Sequence, residues 1–310
     1  MNIAALIVAA GMSSHMSDFK PMMNIGSISA AQRIIATFHQ AGVTKIVMVT
    51  GFNATMLERH LSGNGIIFLR NEQYETTQMF DSVKIGLEYL KDKCDRVLFT
   101  PVDVPLFTAH TVSKLMTPAA PLILPRCQGK GGHPVAISAE LVPELLEDTG
   151  EMGLRGAMSR CSVELTFVDV EDPGTLKDAD TPGDFTSLLE YHNAHLVRPE
   201  ISVALAREVI FLDSKTATLL ALVDETNSVK TACQRMQISY TSAWSLIRTL
   251  ESQLSYPLLL RSQGGATGGT SVLSDRGKQL LKKFLDYQTE LRNYAKLLYE
   301  KCFSDEFDVN

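Results

Sequence analysis

From residue 3 to residue 192, short solid runs of apolar residues alternate with stretches whose apolar positions recur every three or four residues. The runs Ile3–Val8, Lys45–Thr50, Ile66–Leu69, Arg96–Thr100 and Leu122–Leu124 are short, and turn residues bound most of them, so each predicts a strand, buried at Ile3–Val8, and Val135–Ile137 and Leu165–Asp169 continue the pattern. The helical period predicts helices over Ala30–Ala41, Ala54–Leu61, Met79–Leu90, Ala109–Leu115 and Asp184–His192, with Leu141–Leu146 continuing the alternation. Alternation of this kind predicts an α/β fold with a mainly parallel, Rossmann-like sheet covered by helices on both faces, and ligands at the carboxyl ends of its strands.

The pattern fades over residues 193–203, which contain Pro199, so this stretch predicts a linker between a domain at 1–192 and a second, mainly α domain at 204–310. In the second part, residues 216–226 have the spacing of an amphipathic helix. Ser228 caps a further helix, and Gln237, Ile238 and Ser239 form a turn. Residues 240–254 are then the recognition helix of a helix-turn-helix, with Tyr240, Thr241, Ser242, Ser245 and Arg248 offered to base edges or phosphates and Ala243, Leu246, Ile247 and Leu250 facing the core. Helical spacing alone fits an ordinary helical bundle equally well. The adjoining segment favours the helix-turn-helix: residues 257–281 give a strand, a glycine-rich tip, a strand and a helix opened by Ser274, the outline of a β-wing.

Composition narrows the picture. Of the 310 residues, 45% are hydrophobic and 21% charged, enough apolar material for two cores. The net charge of −6 is uneven: residues 204–303 carry 13 Lys/Arg against 9 Asp/Glu. The five cysteines are scattered without a C-x-x-C pair, which predicts thiols in a reducing compartment. With no run of transmembrane length, the expectation is a cytoplasmic protein with no membrane partner.

Candidate chemistry concentrates after strand ends. Residues 5–20, ALIVAAGMSSHMSDFK, run from a strand into a turn of small residues (Ala9, Ala10, Gly11), then serines, then Lys20. Small residues let backbone N–H groups approach phosphate oxygens, and a lysine adds a compact positive charge. The spacing is neither a Walker loop nor a dinucleotide fingerprint. The stretch resembles the opening signature of MobA-like nucleotidyltransferases, with Leu6, Ala9, Ala10, Gly11, Ser13, Met16 and Lys20 in register. His15 stands where that family has arginine and Ser17 where it has glycine.

The same resemblance extends along the first domain and implies a fold of the nucleotide-diphospho-sugar transferase type. Asp103, between Pro101 and Pro105, matches P-x-D-x-P and is implied as the principal Mg²⁺ ligand. Residues 178–184, DADTPGD, resemble the family's second acidic element, implying Asp180 as the second carboxylate on the metal with Asp178 and Asp184 beside it; a capped helix start explains the same residues and is compatible with that role. Ser82 and Gly86 fall in register with a further element, which with Asn71 implies contacts to base and ribose, although Thr77 and Gln78 alter the loop where glycine is usual. His133 and Pro134 match G-x-x-G-H-P and border the implied acceptor side.

These likenesses imply a Mg²⁺-dependent transfer of a nucleotide from its triphosphate to the molybdopterin cofactor, catalysed through Lys20, Asp103 and Asp180. Ala10-Gly11 resembles the cytidylyl-transferring branch and favours CTP over GTP. Residues 216–281 resemble the DNA-binding domain of ModE-type molybdate-responsive regulators, related to the LysR winged helix. That implies double-stranded DNA as a partner, a homodimer, and phosphate contacts from Arg261, Arg276 and Lys278. Two further readings stay open: a nucleotide- or pterin-sensing regulator without turnover, favoured by His15 and Ser17, and an enzyme whose winged helix serves only dimerisation.

Overall fold

The computed structural model describes residues 2–11, 19–62, 65–176, 185–197, 199–262 and 270–303. These form two compact units, the first built mainly from residues 1–197 and the second from residues 198–306.

In the first unit an eight-stranded sheet runs in the order β10-β7-β9-β6-β1-β4-β5, with β8 paired to β7. Its strands are β1 (Ile3–Ala9), β4 (Lys45–Thr50), β5 (Ile67–Arg70), β6 (Arg96–Pro101), β7 (Leu122–Cys127), β8 (Lys130–Gly131), β9 (Val135–Ser138) and β10 (Thr166–Asp169), while β2 (Asn24–Ile25) and β3 (Ile28–Ser29) make a separate hairpin. β1 pairs in parallel with β4 and β6, and β4 with β5. β9 is antiparallel to both β6 and β7, so the sheet is mixed but mainly parallel, as the alternation predicts.

The helices are α1 (Ala30–Gln40), α2 (Ala54–His60), α3 (Met79–Leu90), α4 (Ala109–Met116), α5 (Val142–Glu147), α6 (Gly153–Arg160) and α7 (Phe185–Ala194). α7 runs two residues into the stretch that the sequence pattern assigns to the linker. The β2–β3 hairpin and α6 have no counterpart in that pattern.

Alternate residues of β1 feed opposite faces of the sheet. Ala4, Leu6 and Val8 pack with Val83 and Leu87 of α3 and Leu145 of α5, whereas Ala5, Ile7 and Ala9 pack with Ile34 and Phe38 of α1, Leu57 of α2 and Val112 of α4. The helices start where local chemistry allows. In α1 the Ser29 hydroxyl accepts from the Gln32 N–H at 3.3 Å and the Gln32 side chain accepts from the Ser29 N–H at 2.9 Å, a reciprocal capping box. α3 crosses β1 so closely that a Cβ at Gly86 would lie 2.2 Å from Leu6 Cδ1. The glycine of that sequence element is therefore a packing requirement.

The second unit opens with a hairpin, β11 (Ala204–Ala206) and β12 (Ile210–Asp213), where the sequence pattern predicts helix directly after the linker. Three helices come next, α8 (Ser214–Thr226), α9 (Val229–Met236) and α10 (Tyr240–Leu254), then β13 (Leu259–Ser262), β14 (Thr270–Leu273) and α11 (Asp275–Phe303). Both inter-helix turns use one recipe, a left-handed residue followed by a serine cap. Asn227 (φ 51°) precedes Ser228, whose hydroxyl accepts from the Thr231 N–H at 3.2 Å. Gln237 (φ 52°) ends α9, and Ser239 then accepts from the Ser242 N–H at 3.0 Å. β13 and β14 pair antiparallel, forming the wing outline expected for this region. Among the described residues no helix is long and apolar enough to cross a membrane.

Candidate functional site

The carboxyl ends of β6, β1, β4 and β5 lie side by side, and most of the described candidate residues of the first unit follow them. Ala9 ends β1, and Ala10 and Gly11 continue into the loop. The Ala10 carbonyl accepts from the Phe52 N–H at 3.0 Å, tying this loop to the one after β4. The approach is tight: a Cβ at Gly51 would lie 2.6 Å from the Ala10 oxygen and 2.7 Å from Tyr74 Cβ. Gly11, by contrast, is exposed, with no described residue within 4 Å of its Cβ position. Lys20 opens a 3₁₀ turn (Lys20–Met22), and the neighbouring Phe19 ring meets Phe52 edge-on at 5.9 Å, bringing the lysine's segment to the same loops.

Asp103 lies in the turn directly after β6, half-buried, with Oδ1 inaccessible to solvent. The turn is held to the neighbouring strand by the Val102 N–H, which donates to the Val8 carbonyl at 3.0 Å. Next to β6, His133 precedes β9 and sets its ring edge-on to Phe99 at 5.5 Å. The His133–Pro134 peptide bond is cis. Desolvation pulls the His133 pKa down to about 4, partly offset by the Phe99 backbone, so the imidazole is neutral at pH 7. Its buried Nδ1 has no hydrogen-bond partner among the described residues. Such an atom is uncommon in a protein interior and offers one polar contact to a ligand or to a residue outside those described.

Asn71 and Ser82 are joined to each other and to the loop between them. Asn71 Nδ2 donates to Ser82 Oγ at 3.0 Å and to Thr77 Oγ1 at 2.8 Å, while its Oδ1 accepts from the Gln73 N–H at 3.0 Å. Ser82 is 2% exposed, so its hydroxyl lies behind the asparagine and fixes the 71–82 loop. A direct ribose contact from Ser82 is not what this geometry provides. Asn71 sits on the rim of a cleft of about 520 Å³ at the ends of β4 and β5, with Asn53, Arg59, Arg70 and Glu72 among its walls.

Sequence reasoning missed Asp172, a buried hub. Its Oδ2 accepts from the Thr108 N–H at 2.8 Å, the Thr108 hydroxyl at 2.9 Å and the Thr111 hydroxyl at 2.6 Å, and its Oδ1 accepts from the Gly174 N–H at 3.0 Å. The turn it anchors then meets the histidine loop, where the His133 N–H donates to the Thr175 carbonyl at 2.9 Å. A Cβ at Gly132 would sit 2.3 Å from that same oxygen. The Pro173-Gly174 turn after an aspartate was the local signal available.

Ser13, His15, Met16, Ser17, Asp178, Asp180 and Asp184 lie outside the described residues, as does the wing tip at 263–269; of Arg261 only the backbone, in β13, is described. Among the described residues no group of three or more His, Cys, Asp or Glu side chains is placed to hold a metal ion.

In the second unit Tyr240, Thr241, Ser242, Ser245 and Arg248 are all exposed on α10, and Ala243, Ile247 and Leu250 are fully buried; Leu246, expected in the core, is half-buried. Tyr240 meets Trp244 edge-on at 6.0 Å, and the Ser242 hydroxyl lies 2.8 Å from that of Ser239. Glu251 fastens the wing to this helix by accepting from the Leu258 and Leu259 N–H groups at 2.8 and 3.2 Å. Two cations expected at phosphates touch their own unit: Lys278 lies 3.3 Å from Asp224, and the Arg276 guanidinium lies over the Tyr256 ring at 4.7 Å.

Residues 5–165 match the MobA-like NTP transferase domain, just over half of the chain. The chain belongs to the MobA-like NTP transferase family. Residues 215–278 match the bacterial regulatory helix-turn-helix of the lysR family, so the transferase domain is followed by a regulator-type module. A bifunctional protein GlmU from Staphylococcus haemolyticus is 30% identical over 114 residues, covering 36% of this chain and 25% of its own length. The transcriptional regulator ModE from Haemophilus influenzae is 30% identical over 78 residues, 25% of this chain and 31% of that protein. The chain thus spans only a quarter to a third of the curated relatives it matches. A nucleotidyl transferase from Methanothermobacter thermautotrophicus superposes with a TM-score of 0.54 at 20% identity, covering 62% of this chain and 97% of that one, a likeness of fold.

Proposed function

We propose that this protein transfers CMP from CTP to the phosphate of the molybdopterin cofactor, releasing pyrophosphate, and couples that domain to a module that binds duplex DNA as a homodimer in the cytoplasm. The observation that carries the enzymatic reading is the convergence of the Ala9–Gly11 loop, Asp103, Asn71 and His133 on one sheet edge in a family of nucleotidyl-transferring domains. In the reaction an acceptor phosphate oxygen bonds to the α-phosphorus as the bond to pyrophosphate breaks. Such a displacement needs in-line positioning and neutralised charge more than a covalent nucleophile.

The backbone donors at Ala10 and Gly11 hold triphosphate oxygens, Lys20 balances their charge, and His133 lines the acceptor side as a neutral hydrogen-bonding group. A carboxylate at a strand end suits Mg²⁺, which takes one or two carboxylates and completes its shell with water and substrate phosphates. Asp103 supplies such a donor, and Asp180 is the proposed second. When bound, the ion would neutralise charge on the transferring phosphate.

Turnover of CTP, GTP and ATP by the full chain with molybdopterin and Mg²⁺ tests this reading. CTP is expected to be consumed with release of pyrophosphate, and Asp103→Ala to abolish the reaction while leaving the fold intact. Wild-type turnover in that variant overturns the metal role of Asp103. Tight nucleotide binding without turnover favours the sensor reading, which His15 and Ser17 motivate. Sequence-selective binding of genomic fragments at two salt concentrations tests the regulator module, and a solution dimer with no preference over bulk DNA leaves it as a dimerisation device.

A further inference from the structure

We infer that Arg70, which lines the cleft at the ends of β4 and β5 together with Glu72, is the residue that selects the base of the bound nucleotide, accepting cytosine and rejecting uracil. The assignment rests on the nucleotidyl transfer proposed above. Arg70 is the last residue of β5, and an unusually complete clamp holds it. Its Nε donates to Glu58 Oε1 at 2.9 Å, and its Nη2 donates to Glu58 Oε2 at 2.6 Å and to Thr55 Oγ1 at 3.3 Å. Glu58 is fully buried, and its Oε1 also accepts from the Thr50 hydroxyl at 2.7 Å. The side chain of Arg70 keeps 38% of its surface exposed and lines the cleft. Its Nη1 makes no hydrogen bond among the described residues.

Position along the sheet edge says which part of a nucleotide reaches this cleft. Asp103 follows β6, the small-residue loop follows β1, and Arg70 ends β5, in the strand order β6-β1-β4-β5. Two strand steps separate the small-residue loop from Arg70, about 10 Å at the usual spacing. An extended nucleotide covers that span between its α-phosphate and the hydrogen-bonding edge of its base.

Charge says what kind of group fits. The buried Glu58 already balances the Arg70 guanidinium, holding its pKa above the ordinary arginine value, and Glu72 adds a second negative field from the cleft side. Arg59 also lines the cleft, so two guanidinium groups stand with the two carboxylates of Glu58 and Glu72 and leave no excess charge for an additional anion. A neutral ring edge with adjoining acceptors and a donor suits the pair better. Cytosine presents O2 and N3 as acceptors beside an amino donor. Uracil reverses both of the last two groups, setting an N–H against the guanidinium donors and a carbonyl against the carboxylate. A site whose polar groups are left unpaired by the wrong ligand discriminates strongly.

Calorimetric titration of the full chain with CTP and with UTP, in the presence of Mg²⁺, tests the inference. The wild type is expected to prefer CTP by about tenfold or more, the worth of one charged hydrogen bond. Glu72→Gln, an exposed change, should lower the ratio, because an amide serves either base at that position while Arg70 still opposes the uracil N–H. Arg70→Gln alone strands the buried Glu58 and risks unfolding, so it is combined with Glu58→Gln; the double variant should weaken CTP binding about tenfold and UTP binding far less. Lys20→Ala should weaken both nucleotides equally. An unchanged ratio in both the Glu72 and the Arg70 variants, or no preference in the wild type, overturns the assignment and leaves the transfer reaction standing. A wild type that binds no nucleoside triphosphate at all overturns both.

Discussion

The Thr111 hydroxyl donates to the Asp172 carboxylate at 2.6 Å across 61 residues of chain. With Thr108 and Gly174 it gives the buried carboxylate four donors, tying the start of α4 to the turn that leads toward residue 177. Asp103 precedes α4 by a few residues, and the His133 loop rests on the same turn.

Asp172→Ala should therefore destabilise the first unit by about 3 kcal/mol, since it leaves buried hydroxyl and N–H donors without an acceptor. Urea unfolding monitored by circular dichroism checks this. A midpoint within error of the wild type would show that the threonines find other acceptors.

His192 sets a pH dependence. It is 1% exposed, and Arg33 Nη1 donates toward its Nδ1 at 3.3 Å, which leaves Nε2 to carry the proton facing Thr37 Oγ1 at 3.2 Å. Burial, with the adjacent Arg33 charge, lowers its pKa from 6.5 to about 4. The folded state thus binds fewer protons than the unfolded chain between those values. Its contribution is complete above pH 6.5 and is lost as pH falls toward 4, amounting to about 3 kcal/mol. Stability curves of wild type and His192→Gln should converge over this window, and parallel curves would contradict the assignment.

Gly86 and Gly11 should respond oppositely to alanine. Gly86→Ala drives a methyl into Leu6 and is expected to cost about 1–3 kcal/mol of stability. Gly11→Ala meets no described residue within 4 Å and should leave stability within about 0.5 kcal/mol while weakening triphosphate binding, because the new methyl would stand where phosphate oxygens are proposed to approach the backbone. Thermal unfolding paired with nucleotide titration separates the two. A Gly11→Ala protein with unchanged affinity would remove that loop from the phosphate site.

Arg248 lies exposed on α10, one turn beyond Ser245. Arg248→Ala is expected to weaken sequence-specific DNA binding by about 1–3 kcal/mol if the side chain reads a guanine, with little change in bulk DNA affinity. Equal losses on specific and bulk DNA would reassign it to a phosphate.

Much of this architecture is legible from periodicity because both layers bury regular faces. β1 alternates between two cores, and α10 places Ala243, Ile247 and Leu250 on one side, so strand and recognition helix appear in the sequence close to their observed bounds. Serine caps at positions 228 and 239 mark the helix-turn-helix turns for the same local reason. What escapes is set by partners distant in sequence. Nothing near Asp172 announces Thr108 or Thr111. Ser82 looks like a ligand group until its burial behind Asn71 is seen. α6 begins at Gly153 and contains Gly156, so its weak helix formers give no signal, and the two-residue strands β2 and β3 are too short for any period.

The position of β1 between β4 and β6 also has a consequence during synthesis. Six of its seven residues are buried in the finished sheet, yet the partner on one flank, β6, ends at Pro101, 92 residues beyond Ala9. At ordinary elongation speeds that interval lasts on the order of 5–20 s. A nascent chain on the ribosome therefore carries a sticky, half-paired strand for seconds before its second neighbour emerges, which makes this segment the natural foothold for a chaperone and the first place where slow translation would favour aggregation.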